Sequence, residues 1–190
     1  MKKEYFAEKI KKLLISIKNE IITFFPDKSK RAIKLLKWFK ETIIKNNIIY
    51  KSIEDENKNH EEYRRRRTRG KVYWTQFGEN VGSEFNGNHF SVVLYESYYT
   101  AIVVPLSSVK ENEGKWKDKE DLVVKIGEIK GLPRESPECY ALVHQMRAVS
   151  KKRLDDFLDK KTGQYIKKLK LTNKQLDLID DKVRSICKKK

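Results

Sequence analysis

Apolar residues in the first fifty positions recur at helical spacing. Phe6, Ile10, Leu13, Leu14, Ile17, Ile21 and Phe24 share one face of a 3.6-residue period, with Lys9, Lys11, Lys12, Lys18 and Glu20 between them. The run breaks at Pro26-Asp27-Lys28-Ser29, where Asp27 or Ser29 can cap the next helix. It resumes with Ile33, Leu36, Phe39, Ile43, Ile44 and Ile48. This spacing predicts two amphipathic helices joined as a hairpin. Residues 54–62 are almost wholly polar and read as a frayed helix end or linker. Arg64-Arg65-Arg66-Arg67-Thr68-Arg69 comes next, a run suited to phosphate contact slightly ahead of solvation beside the acidic segment before it. The expected division is a helical extension over 1–62 and a second domain over 63–190.

From Gly70 the period changes to two. Lys71–Phe77, His89–Tyr95, Tyr98–Leu106, Leu122–Ile126 and Cys139–Met146 are rich in β-branched and aromatic residues and predict five strands. The glycines and asparagines between Gly78 and Asn88 predict a loop, and the charged stretch from Val109 to Asp121 predicts another. After Lys151-Lys152-Arg153-Leu154 a short helix is expected. Thr172-Asn173-Lys174-Gln175 is a capping box, opening a helix whose apolar face is Leu176, Ile179, Val183 and Ile186. Short strands closed by one helix suggest a mainly β fold, a small barrel with appended helices.

Composition adds a partner class. The chain of 190 residues carries a formal net charge of +16, which attracts polyanions: nucleic acid, an anionic membrane surface or an acidic protein. Lysine enrichment across a whole proteome would raise the charge equally well. Cys139 and Cys187 are far apart and form no CxxC spacing, which fits a reducing cytoplasm. No stretch approaches the ~20 apolar residues of a spanning helix. The amphipathic hairpin is expected to pack on protein ahead of lying on a membrane.

Several motifs in register carry a resemblance. Arg69-Gly70-Lys71-Val72-Tyr73, then Gly82-Ser83-Glu84 and Val92-Val93-Leu94, resemble the opening of the MazF/PemK toxins. Thr100–Ser107 is similar to that family's third strand. Gln145-Met146-Arg147-Ala148-Val149, with Lys151–Leu154 after it, is similar to its QxRTVDKxRL signature. The resemblance implies an SH3-like barrel, a homodimer, an endoribonuclease that cuts single-stranded RNA without metal or other cofactor, and a cognate antitoxin. The family places catalysis on an Arg after the GSE loop and a Thr or Ser after the third strand. The second maps onto Ser107. At the first stands His89, with Phe90 where a Pro usually comes next.

The residues fit that chemistry. Metal-independent RNA cleavage uses the adjacent 2′-OH as nucleophile and needs an acid, a base and positive charge. Histidine has an unperturbed pKa near ~6.5, so His89 suits proton transfer better than arginine does; the plain alternative is a surface histidine bonded to its own loop. Ser107, or Ser108 beside it, offers a hydroxyl to a phosphate oxygen or 2′-OH, or closes a turn. Arg147 clamps phosphate or pairs with Glu84. Gln145 reads a base edge or orients Arg147. Glu84 acts as a base or orders its loop, and Arg69 is a further phosphate contact. His144 is expected to face away from Gln145, as a core or dimer-face residue. Tyr73, Trp74, Phe85 and Phe90 offer stacking surfaces, with at most one of Tyr73 and Trp74 lining a groove. Two other readings remain open: a barrel that binds RNA or DNA without cutting, marked by the Arg-to-His exchange, and a CcdB-like toxin of DNA gyrase.

Overall fold

The computed structural model describes residues 2–24, 29–53, 68–108, 116–133, 138–159, 162–166 and 169–188. The break at Pro26, the arginine run 64–67, the expected boundary at 62/63 and loop residues 109–115 lie outside them. The chain divides into two compact units, residues 1–51 and 52–190.

The first unit holds the two expected helices, α1 (Lys2–Phe24) and α2 (Ser29–Ile53). Much of their apolar stripes is exposed. Phe6, Ile10, Leu13, Ile33, Leu36, Phe39, Ile43 and Ile44 are 44 to 61% exposed. Among the described side chains of these helices only Ala32 is buried. The helices thus match the periodicity.

The second unit is built on an antiparallel sheet. Its strands are β1 (Val72–Gly78), β2 (Gly87–Glu96), β3 (Thr100–Ser108), β4 (Val123–Gly127), β5 (Cys139–Leu142), β6 (Arg147–Ser150) and β7 (Leu154–Asp155). The order is β4-β5-β3-β2-β1-β7, with β6 also on β3. The ladders end at β4 and β7, so among the described residues the barrel does not close by hydrogen bonding. A two-stranded ribbon, β8 (Phe157–Leu158) with β9 (Tyr165–Ile166), stands apart. One helical turn, α3 (Trp116–Lys119), interrupts the loop expected over 109–121.

β3 organises this sheet because it serves three partners. One edge runs along β2, from Ser91↔Pro105 to Glu96↔Ala101. The other edge pairs first with β6, ending at Val103↔Arg147, then with β5, beginning at Leu106↔Ala141. Pro105 falls in the gap between those two ladders, where that edge has no pairing to lose. The change of partner has a cost in the sequence: the expected single strand Cys139–Met146 becomes β5, a 3₁₀ turn at Val143–Gln145, and β6. A second 3₁₀ turn, Lys151–Arg153, leads into β7 in place of the expected short helix.

Both faces of the sheet bury apolar side chains. Val72, Phe90, Val92, Val104, Leu106 and Ala141 lie on one face, with Leu169 and Leu171. Tyr73, Phe77, Val93, Val103, Val149 and Leu154 form a second cluster. The helix α4 (Asn173–Lys188) seals the first cluster with buried Leu176 and Ile179, each contributing about 1.5–3 kcal/mol. Val183 packs against it, while Ile186 is exposed. The capping box forms as expected: Thr172 N donates to Gln175 Oε1 at 2.9 Å, and Gln175 N to Thr172 Oγ1 at 3.3 Å. Gln175 Nε2 also donates to the carbonyls of Ile126 (2.9 Å) and Glu128 (2.7 Å), tying helix to sheet.

Gly70 explains the start of this unit. Its φ is +79°, and a Cβ there would lie 2.9 Å from Leu176 Cδ1, so a side chain would be both strained and obstructed. Its N–H donates to Val93 O (2.8 Å) and its carbonyl accepts from Leu171 N (2.9 Å).

Candidate active site

Alternation along the strands gathers three of the candidate side chains on one face. Directly paired residues point the same way. Thr75 pairs with His89, Tyr73 with Ser91, Val93 with Val103, and Val103 with Arg147. His89 and Arg147 therefore share the face of the Tyr73–Val93–Val103 cluster. Ser107 joins them by alternation from Val103 and Pro105, since Leu106 beside it is buried in the opposite cluster. The β2–β3 ladder ends at Ser91↔Pro105. His89 and Ser107 each lie two residues beyond that last pair on their own strands.

The loop 79–86 is held over this end of the face by its own amides. Asn80 Nδ2 donates to the carbonyls of Phe85 (2.8 Å) and Phe77 (3.2 Å), and Asn80 N donates to Asn86 Oδ1. Gly78 and Gly87, both at positive φ, pair across the loop mouth. The loop presents Phe85, whose half-buried ring lies 4.3 Å from that of His89 and 5.4 Å from that of Phe77.

Gln145 fastens the loop to the next strand. Its Oε1 accepts from Phe85 N at 3.1 Å and from Arg147 Nη2 at 3.3 Å, and its Nε2 donates to Ser83 O at 3.4 Å. The Arg147 guanidinium carbon stands 5.7 Å from the Phe77 ring centre, close enough for a cation–π contact. Arg147 Nη1 is 4.0 Å from Glu84 Oε2, beyond hydrogen-bond reach, and the Glu84 side chain is 56% exposed. An ion pair so open is worth little and leaves the guanidinium able to take another anion. Glu84 N meanwhile donates to Val81 O at 3.2 Å, an ordering contact within the loop.

A second guanidinium lies beside the first. Arg153 Nη1 donates to Phe77 O at 3.4 Å. Burial, with a smaller effect of neighbouring Arg147, lowers the Arg153 pKa below its ordinary value. Two cations held close at one end of a sheet favour an anion between or above them. The sequence does not single out Arg153 within the Lys151–Leu154 motif, and the alternation of β6 carries no signal for it.

The remaining expected residues divide. Ser108 turns to the other face: its pairing partner Cys139 is buried in the main core, and its carbonyl accepts from buried Lys117 Nζ at 2.8 Å. Ser107 instead pairs with Tyr140, whose hydroxyl donates to Asp118 Oδ1 at 2.9 Å. Arg69 is not brought here. Its guanidinium donates to Leu94 O at 2.6 Å and to Asp180 on α4, towards the other end of β2 from His89. Tyr73 and Phe90 are buried, and Trp74 packs edge-on against Phe90 and Phe157. Of the four proposed stacking rings, Phe85 is the one beside His89. His144 is exposed on its 3₁₀ turn.

The second unit also has known relatives. A family model described as PemK-like, MazF-like toxin of type II toxin-antitoxin system matches residues 68–187. Among solved structures, MazF (form I) from Deinococcus radiodurans aligns at 15% identity and a TM-score of 0.41, covering 63% of this chain and 94% of that one. A MazE–MazF structure (form II) from the same organism aligns at 15% identity and a TM-score of 0.37, covering 62% and 92%. No curated protein matches the chain.

Proposed function

Since the chain belongs to the PemK-like, MazF-like toxin family of type II toxin-antitoxin systems, we propose that it is an endoribonuclease acting on single-stranded RNA by attack of the 2′-OH on the adjacent phosphorus. The observation that supports this most directly is the connected set His89, Phe85, Gln145 and Arg147 at one end of one sheet face.

In this reading the 2′-oxygen bonds to phosphorus while the bond to the 5′-oxygen breaks, leaving a cyclic phosphate and a free 5′-hydroxyl. His89 transfers a proton, either from the 2′-OH or to the leaving oxygen. Arg147 balances the charge that builds on the phosphoryl oxygens, where a preorganised donor is most effective. Ser107 donates to a phosphate oxygen or holds the 2′-OH. Gln145 keeps Arg147 and the loop in register, and Phe85 offers its ring to an unpaired base. Glu84 holds its loop. The reaction needs no metal. The active species is a homodimer, and a cognate antitoxin neutralises it.

The test is incubation of a long single-stranded RNA with the protein in EDTA, beside His89→Ala. Fragments ending in cyclic phosphate from the wild type, reduced by about a hundredfold or more in the variant, are expected. Binding of RNA without fragments from either protein would replace this reading with a non-cutting barrel. Inhibition of gyrase supercoiling without RNA cleavage would replace it with a gyrase poison.

A further inference from the structure

The helical unit carries most of the chain's excess charge. Residues 1–53 hold 14 Lys and Arg against 5 Asp and Glu, a difference of +9 out of the formal +16. Within α2 the imbalance is sharper: Lys30, Arg31, Lys34, Lys37, Lys40, Lys45 and Lys51 stand against Glu41 alone. On the apolar faces of the same helices, Phe6, Ile10 and Leu13 of α1 and Leu36, Phe39 and Ile43 of α2 are each at least 44% exposed.

Those two facts narrow the occupant. A helix that only needs solubility mixes its charges, and one that binds nucleic acid needs no broad apolar stripe. A second copy of this unit would bring its own +9 against the first. What complements both features at once is a surface that is negative outside and apolar a few ångströms beneath, which is an anionic bilayer. Neither helix is long and apolar enough to cross one. We propose that α1 and α2 lie on an anionic lipid surface, with Leu36, Phe39 and Ile43 sunk at the acyl boundary and the lysines of α2 among the headgroups. Lying on lipid is the alternative to packing on protein. It is independent of the ribonuclease reading.

The experiment is co-sedimentation of the full chain with sucrose-loaded vesicles, either phosphatidylcholine alone or phosphatidylcholine mixed with phosphatidylglycerol. Two variants are compared: Leu36→Ser with Phe39→Ser and Ile43→Ser, and Lys30→Gln with Lys34→Gln and Lys37→Gln. The wild type should sediment with the anionic vesicles and not with the neutral ones. Each variant should lose about tenfold or more in partitioning, with RNA cleavage unchanged. The lysine variant leaves the apolar stripe intact, so it reads the contact even where the serine variant loses helicity by circular dichroism. Failure to sediment with anionic vesicles overturns the proposal. So does binding that the folded serine variant retains in full, which would mark a purely ionic contact from elsewhere on the chain. A wild type that forms larger assemblies than the serine variant without lipid overturns it in favour of a second copy. Capture of an acidic helical peptide in place of vesicles overturns it in favour of a protein partner.

Discussion

Gln145 Oε1 accepts the backbone N–H of Phe85 at 3.1 Å, joining a loop and a turn 60 residues apart in the chain. The same oxygen takes Arg147 Nη2, so one amide fixes both the floor and the rim of the candidate site. Gln145→Ala should free the loop and the guanidinium together. The expected stability loss is about 1–2 kcal/mol, and the larger effect should fall on RNA cleavage. Hydrogen exchange at the Phe85 amide reports the first consequence directly; protection equal to the wild type would show that the loop does not depend on this bond.

Arg147 and Arg69 should separate cleanly. Arg147→Ala removes the charge beside the loop and should lower RNA cleavage by about a hundredfold or more. Arg69→Ala breaks contacts to Leu94 O and Asp180 and should cost about 1 kcal/mol of stability with little effect on cleavage. Thermal melting and cleavage rates on both variants decide it. A strong cleavage defect in Arg69→Ala would return that residue to the substrate path.

Ser107 and Ser108 are neighbours on opposite faces of β3. Ser107→Ala should reduce cleavage roughly a hundredfold without changing the melting temperature, and Ser108→Ala should leave cleavage near the wild-type rate. Equal effects from the two would sink the assignment of Ser107 by alternation.

Alkaline stability should depend on Tyr140. Burial raises its phenol pKa above the ordinary value near ~10, and the hydrogen bond to Asp118 adds to this. The folded state therefore keeps the proton longer than the unfolded chain does. That contribution is fully present below the unfolded pKa and is lost as pH rises towards the folded one. Tyr140→Phe should flatten the fall in stability above about pH 10, while losing about 1 kcal/mol at neutral pH with the Asp118 bond. Denaturant titrations at neutral and alkaline pH measure both.

Much of the sheet is legible in the sequence because its strands are long enough to show a period. β1, β2, β3 and β4 fall within two residues of the runs read from Lys71, His89, Tyr98 and Leu122. The run Cys139–Met146 misleads because an unbroken apolar stretch hides a turn: Val143 is buried in the 3₁₀ turn as it would be in a strand. β8 and β9 have two residues each, too few for any period. For the candidate site, Gln145 and Arg147 of the motif register are joined by a hydrogen bond, while the sequence leaves Ser108 open beside Ser107 and only the pairing of β3 with β5 turns them to opposite faces. Neither signal reveals that Arg69 is taken up by α4, because Asp180 is remote in sequence. In a chain this rich in cations a single arginine gives no warning of its environment, which is why the pattern does not distinguish Arg153.

The segment around Leu169 closes the edge of β1. Val72 N donates to Leu169 O, and Leu171 N donates to Gly70 O. β1 thus waits for residues 169–171 before its edge is satisfied, and the main core waits for Leu176 and Ile179. Contacts so distant in sequence make folding slow and hold it back until these later residues have been made. A nascent chain stalled before residue 169 would hold His89 and Ser107 but not the finished sheet that aligns them. Translation of this protein therefore carries a built-in delay between making the candidate site's residues and assembling the site.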